Sequence, residues 1–79
     1  MPEYEVSMMI SNSRDTTITL VLEPLGVFYP VEPHATFTLV LQGPLQGPIE
    51  VVDDLESITV NAWASCIVLS RDGKEFYRY

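Results

Sequence analysis

A chain of 79 residues can hold one hydrophobic core, so residues 1–79 are expected to form a single domain. Eleven acidic against four basic residues give a formal charge of -7, which excludes a nucleic-acid surface built on phosphate neutralisation and disfavours anionic membranes. With 47% apolar and 19% charged residues the chain is neither disordered nor a charge-rich helical bundle, and one Cys excludes an internal disulfide framework.

Tyr4 to Ile10 reads as the first strand, broken by the turn formers Ser11-Asn12-Ser13-Arg14-Asp15. In Thr16 to Leu22, Ile18, Leu20 and Leu22 share one face, and Thr17, Thr19 and Val21 share the other. Glu23-Pro24-Leu25-Gly26 reads as a tight turn before a short Val27-Phe28-Tyr29 strand. Pro30 and Pro33 each remove a backbone donor, which makes this piece an edge or a corner. Thr36 to Leu41 repeats the alternation, with Phe37, Leu39 and Leu41 opposed to Thr36, Thr38 and Val40. β-Branched residues throughout favour a pleated strand over a helix.

Gln42 to Pro48 reads QGPLQGP, a tandem triplet expected to be irregular surface loop. Ile49 to Val52 is a short strand closed by Asp53-Asp54, and Ile58, Val60, Ala62 and Ala64 alternate with Thr59, Asn61 and Trp63 in the next. Cys66 to Leu69 suits burial on both faces. Arg71-Asp72-Gly73-Lys74 is the clearest hairpin signal, because Asp-Gly accepts the positive φ of a tight turn. Glu75 to Tyr79 returns as the last strand.

No stretch of ten residues carries helical spacing. Short strands between recurrent turn signals predict an all-β fold: a small antiparallel sandwich of about seven to eight strands, immunoglobulin-like or cupredoxin-like in outline. A small closed barrel is the alternative. The N-terminal Met1-Pro2-Glu3-Tyr4-Glu5 has no basic residue and leads into no signal-like apolar run, so a cytoplasmic protein is expected. Its apolar runs are far shorter than the roughly 20 residues of a membrane helix.

Leu22-Glu23-Pro24-Leu25-Gly26-Val27-Phe28-Tyr29, continuing to Val31 and Pro33, resembles a group of small bacterial proteins of uncharacterised function. Their pattern is Leu-Glu-Pro-Trp-Gly, an aromatic three residues on, then Pro-Gly before a Thr-containing strand. Leu25 stands in place of the Trp. His34 stands in place of the Gly, which suggests that the turn after Pro33 needs no glycine here. The resemblance implies a compact β-sandwich and brings no activity with it.

Each reactive constellation has a plain structural alternative. A type 1 copper site needs two His, one Cys and an axial Met. Here His34 has no second His, and no Met follows Cys66. A Cys66–His34 nucleophile pair requires an exposed, activated thiol, whereas Ala64-Ser65-Cys66-Ile67-Val68-Leu69 looks like the setting of a small buried hydrophobe. Glu50, Asp53, Asp54 and Glu56 could offer oxygens to calcium, but they lack the spacing of a dedicated loop. A solvated strand cap that discourages edge pairing is their plainer reading.

Among the aromatics, Tyr4, Phe28, Tyr29, Trp63, Phe76, Tyr77 and Tyr79 could furnish a contact platform. Trp63 either points outward, opposite the Ile58-Val60-Ala62 stripe, or covers an open end of a thin sandwich. The expectation is therefore a non-enzymatic binding or protein-interaction module with no cofactor and no metal. Its contact surface would comprise Trp63, Tyr77, Arg78, Tyr79, Asp53, Asp54 and Glu56. A basic protein partner and a homodimer through edge strands follow from the charge and the fold. The rival reading is an acidic inhibitor, an immunity-type protein or a nucleic-acid mimic that neutralises a basic protein.

Overall fold

The computed structural model describes residues 4–44 and 47–79. Among these the chain forms strands and turns and no helix: β1 (Tyr4–Ser11), β2 (Ile18–Glu23), β3 (Val27–Val31), β4 (Thr36–Gly43), β5 (Glu50–Asp53), β6 (Ser57–Asn61), β7 (Cys66–Arg71) and β8 (Lys74–Arg78). The strands divide into two four-stranded sheets, ordered β1-β4-β7-β8 and β3-β2-β6-β5. The fold is the all-β sandwich that the alternation implies.

One pairing departs from the antiparallel expectation. β2 and β6 run parallel at the centre of the second sheet, Thr19 beside Ser57 and Glu23 beside Asn61. The chain enters this sheet twice, as the hairpins β2–β3 and β5–β6, and β2 and β6 are where the two hairpins meet.

The core is built by the period of two. Ile18, Leu20 and Leu22 of β2 are buried, as are Phe37, Leu39 and Leu41 of β4, each set on one face of its strand. Ile10, Val31, Val60, Ala62, Ala64, Ile67 and Leu69 complete the layer between the sheets. Each fully buried Leu removed from water contributes about 1.5–3 kcal/mol, which is how so small a chain sustains a fold.

Strand topology gathers the connections at two ends. The loops 12–17, 32–35 and 54–56 and the 72–73 turn lie together at one end, since Ser11 pairs with Thr36, Ile18 with Val31, Thr19 with Ser57, and β7 ends at Arg71. Asn12 is the buried polar residue of this end. Its Nδ2 donates to the carbonyls of Thr16 (2.8 Å), Val31 (3.1 Å) and Glu32 (3.1 Å), and its Oδ1 accepts from Arg14 N (3.0 Å).

The β7–β8 turn is the expected two-residue hairpin, Arg71 pairing with Lys74, with Asp72 at φ 54° and Gly73 at φ 77°. The turn at Pro33-His34 departs from the expectation that it needs no glycine. His34 lies at φ 62°, in the left-handed region that favours glycine, so this turn does demand a glycine-like conformation.

The strand β4 runs on to Gly43, so the first two residues of QGPLQGP are regular structure rather than loop. Leu45 and Gln46 lie outside the described residues, as do Met1, Pro2 and Glu3. Strand β6 stops at Asn61, short of the predicted Ala64, although Ala62 and Ala64 are both buried.

Candidate functional site

Trp63 follows β6 and is half-buried, packed against the core rather than standing free. The glycines beside it explain the fit. A Cβ on Gly43 would lie 3.0 Å from Trp63 Cε3, and one on Gly47 would lie 3.3 Å from Cδ1. The indole Nε1 is buried and finds no acceptor among the described residues. Of the two positions foreseen for Trp63, cover over an end of the sandwich is the one adopted.

The C-terminal aromatics are likewise engaged within the molecule. β8 carries a bulge opposite Leu69 and Ser70: Leu69 pairs with Tyr77 and Ser70 with Glu75, leaving Phe76 as the extra residue. Phe76 and Tyr77 therefore both reach Tyr29 of the opposite sheet, at 6.1 and 6.2 Å between ring centres. Phe76 also meets Phe37 edge-on at 5.8 Å, and Tyr77 stacks on Tyr79 at 4.6 Å. This seam closes the margin between β8 and β3. Burial raises the Tyr79 phenol above its ordinary value of 10.0, and the neighbouring Tyr77 and Tyr29 push the same way.

Arg78 faces the other way. It pairs with Val68 on the outer face of the first sheet, and its guanidinium grips Glu75 through Nη2–Oε1 (2.7 Å) and Nε–Oε2 (3.1 Å). Nη1 donates to Cys66 Sγ at 3.5 Å. These hydrogen bonds hold the Glu75 carboxyl below the ordinary 4.5 and raise Arg78 in return. Val68 is 6% exposed yet stands outside the central cluster, as expected for a residue roofed by the Arg78 stem.

Cys66 differs from the buried setting that its neighbours imply. It is half-buried on this outer face, not a core hydrophobe, while Ile67, Val68 and Leu69 after it are all buried. His34 sits at the opposite end of the sandwich, its Nε2 2.8 Å from Asp15 Oδ1. The fold thus separates the thiol from the ring, and they form no pair.

The acidic group is spread by its hairpin. Asp53 meets Arg14 at 3.7 Å, and Arg14 also donates to the Asp54 carbonyl at 3.4 Å. Asp54 Oδ1 accepts from Leu55 N (2.7 Å), and the Glu56 carbonyl accepts from Thr19 N (2.9 Å). No three acidic, His or Cys side chains converge among the described residues. What the end does have is exposed negative charge: Asp15, Glu32, Asp53, Asp54, Glu56 and Asp72 all stand in or beside its loops. Two open clefts of about 360 and 340 Å³ flank Arg71 there, whose guanidinium lies 5.2 Å from the Phe76 ring centre. Neither cleft is lined by His34 or Cys66.

A further surface emerges only from the strand pairing. Val21 pairs with Phe28 on one side and Thr59 on the other, and Thr59 pairs with Val52. Residues paired directly share a face, so Phe28, Val21, Thr59 and Val52 form one row across the outside of the second sheet. Phe28 is 70% exposed and Val52 47%. Along the strands the next row is Glu23, Asn61 and Glu50, which gives the apolar band an acidic flank. The alternation in β2 and β6 was visible, but only knowledge of which strands pair aligns these residues.

No family model, no curated protein and no solved structure matches the chain. Among the described residues no helix is long and apolar enough to cross a membrane.

Proposed function

We propose that the chain is a non-catalytic protein-interaction module that docks its partner on the outer face of the β3-β2-β6-β5 sheet. The observation that carries this reading is the row Phe28–Val21–Thr59–Val52, whose ends Phe28 and Val52 are exposed and whose middle, Val21 and Thr59, is half-buried, with Glu23 and Glu50 beside it. Contiguous apolar surface rimmed by polar groups is the usual mark of an interaction site. The complementary partner presents an apolar patch with Lys or Arg at its rim. A cytoplasmic setting belongs to the same reading, supported by the lone thiol of Cys66.

Affinity capture with the wild-type chain and with Phe28→Asp tests this directly. A partner retained by wild type, lost with Phe28→Asp and weakened by salt is the expected result. Equal capture by both chains would place the interaction elsewhere.

The second reading, an acidic inhibitor or immunity-type protein, is favoured by the six carboxylates at one end of the sandwich. It moves the docking site there. In that case Asp54→Lys with Glu56→Lys abolishes capture, and Phe28→Asp leaves it intact.

A further inference from the structure

Each edge of a sheet presents unpaired backbone donors and acceptors, and proteins ordinarily blunt them with proline, charge, bulges or brevity. The four edge strands here are β1, β8, β3 and β5. In β3, Pro30 removes a donor. β8 is bulged and carries Lys74, Glu75 and Arg78. β5 has four residues, bounded by Glu50 and Asp53. β1 has no proline, no bulge and no brevity, and little charge. It runs eight residues, YEVSMMIS, in unbroken register with β4 from Tyr4–Gly43 to Ser11–Thr36, and Glu5 is its one charge.

We infer that β1 is a self-association edge, where β1 of a second copy adds antiparallel to join two β1-β4-β7-β8 sheets into one of eight strands. This rests on the reading of the chain as an interaction module but uses a different face. The occupant follows from self-complementarity. A two-fold axis normal to the sheet must keep core-side residues opposite core-side residues, so it passes through a residue pair with itself. Centred on Met8, it sets Val6 against Ile10, Ser7 against Met9 and Glu5 against Ser11. Centred on Ser7, it sets Val6 against Met8 and Glu5 against Met9. In both registers Glu5 meets an uncharged residue, so the symmetric pairing brings no like charges face to face.

The side chains are also unfinished in the single copy. Val6 and Met8 are only half-buried, while their β4 partners Leu41 and Leu39 are 0% exposed, and Met9 is 69% exposed. A second β1 extends the inner layer past Val6 and Met8 and shelters Met9.

The salt dependence separates this contact from the proposed partner contact. Two copies of charge -7 repel, so self-association strengthens with salt, whereas binding of a basic partner weakens. Sedimentation equilibrium of the purified chain up to about millimolar concentration, at low and high salt, reads this out. A salt-strengthened dimer is expected, with Met9→Glu raising its dissociation constant by about tenfold or more and Phe28→Glu leaving it unchanged. Hydrogen exchange on the wild-type dimer adds a measurement free of substitutions: the β1 amides that point away from β4 gain protection with concentration. A chain monomeric throughout, a dimer abolished by Phe28→Glu but not by Met9→Glu, or outward β1 amides that exchange freely in the dimer would each overturn the assignment. None of these results touches capture of a partner through Phe28.

Discussion

Asn12 directs its amide at three carbonyls, those of Thr16, of Val31 at the end of β3 and of Glu32 after it, a task no strand ladder performs. Because Asn12 is 2% exposed, water cannot replace it. Asn12→Ala leaves the Thr16, Val31 and Glu32 oxygens short of a donor and is expected to lower stability by about 2–3 kcal/mol in urea unfolding. Asn12→Asp is the sharper test, since it turns a carboxylate toward those same oxygens. At neutral pH it should destabilise more than Ala. On acidification it should recover, because its folded-state pKa is raised and the protonated acid can donate once. A pH-independent loss equal to that of Ala would show the hydrogen bonds to be unimportant. Tyr79 gives a second residue-scale expectation. Its phenol titrates above the ordinary 10.0 when folded, so its contribution is complete below that value and is lost as pH climbs through the raised one. An absorbance titration should show a late tyrosine component that Tyr79→Phe removes.

At the scale of elements, Trp63 reports on how β4 and the chain after β6 fit together. Gly43→Ala places a methyl where the indole edge now lies, 3.0 Å from Cε3. The ring must shift, with an expected cost of about 1–2 kcal/mol and a red-shifted emission from the one tryptophan. An unchanged spectrum and melt would mean the indole is not held against Gly43. The strands themselves were legible, because each alternation marks one face of one ribbon without reference to any other. Partners are a different kind of information. Nothing in Thr16–Leu22 or Ile58–Ala64 announces that β2 and β6 lie parallel, and without that pairing the row from Phe28 to Val52 is four unrelated residues. Likewise Tyr77-Arg78-Tyr79 reads as one contact group until the bulge at Phe76 sets Tyr77 toward Tyr29 and leaves Arg78 on the far side, with Tyr77 still 49% exposed. Asn12 resembles any turn former in sequence, since its acceptors lie up to 20 residues away.

Across the whole molecule, the charge of -7 is unevenly borne. Arg14 meets Asp53, and His34 meets Asp15, at the end where Glu32, Asp54, Glu56 and Asp72 also stand. Exposed pairs of this kind contribute little and are screened, whereas repulsion among the surplus carboxylates acts over the whole end. Added salt shortens the reach of that repulsion to about 10 Å at 0.1 M and less beyond. The thermal midpoint at neutral pH should therefore rise with sodium chloride. Glu56→Lys should raise it at low salt and make the remaining salt dependence shallower. A midpoint that falls with salt would mean that favourable pairs outweigh repulsion at this end. The acidic end would then be a network that stabilises the fold, and the inhibitor reading would lose the surface on which it depends.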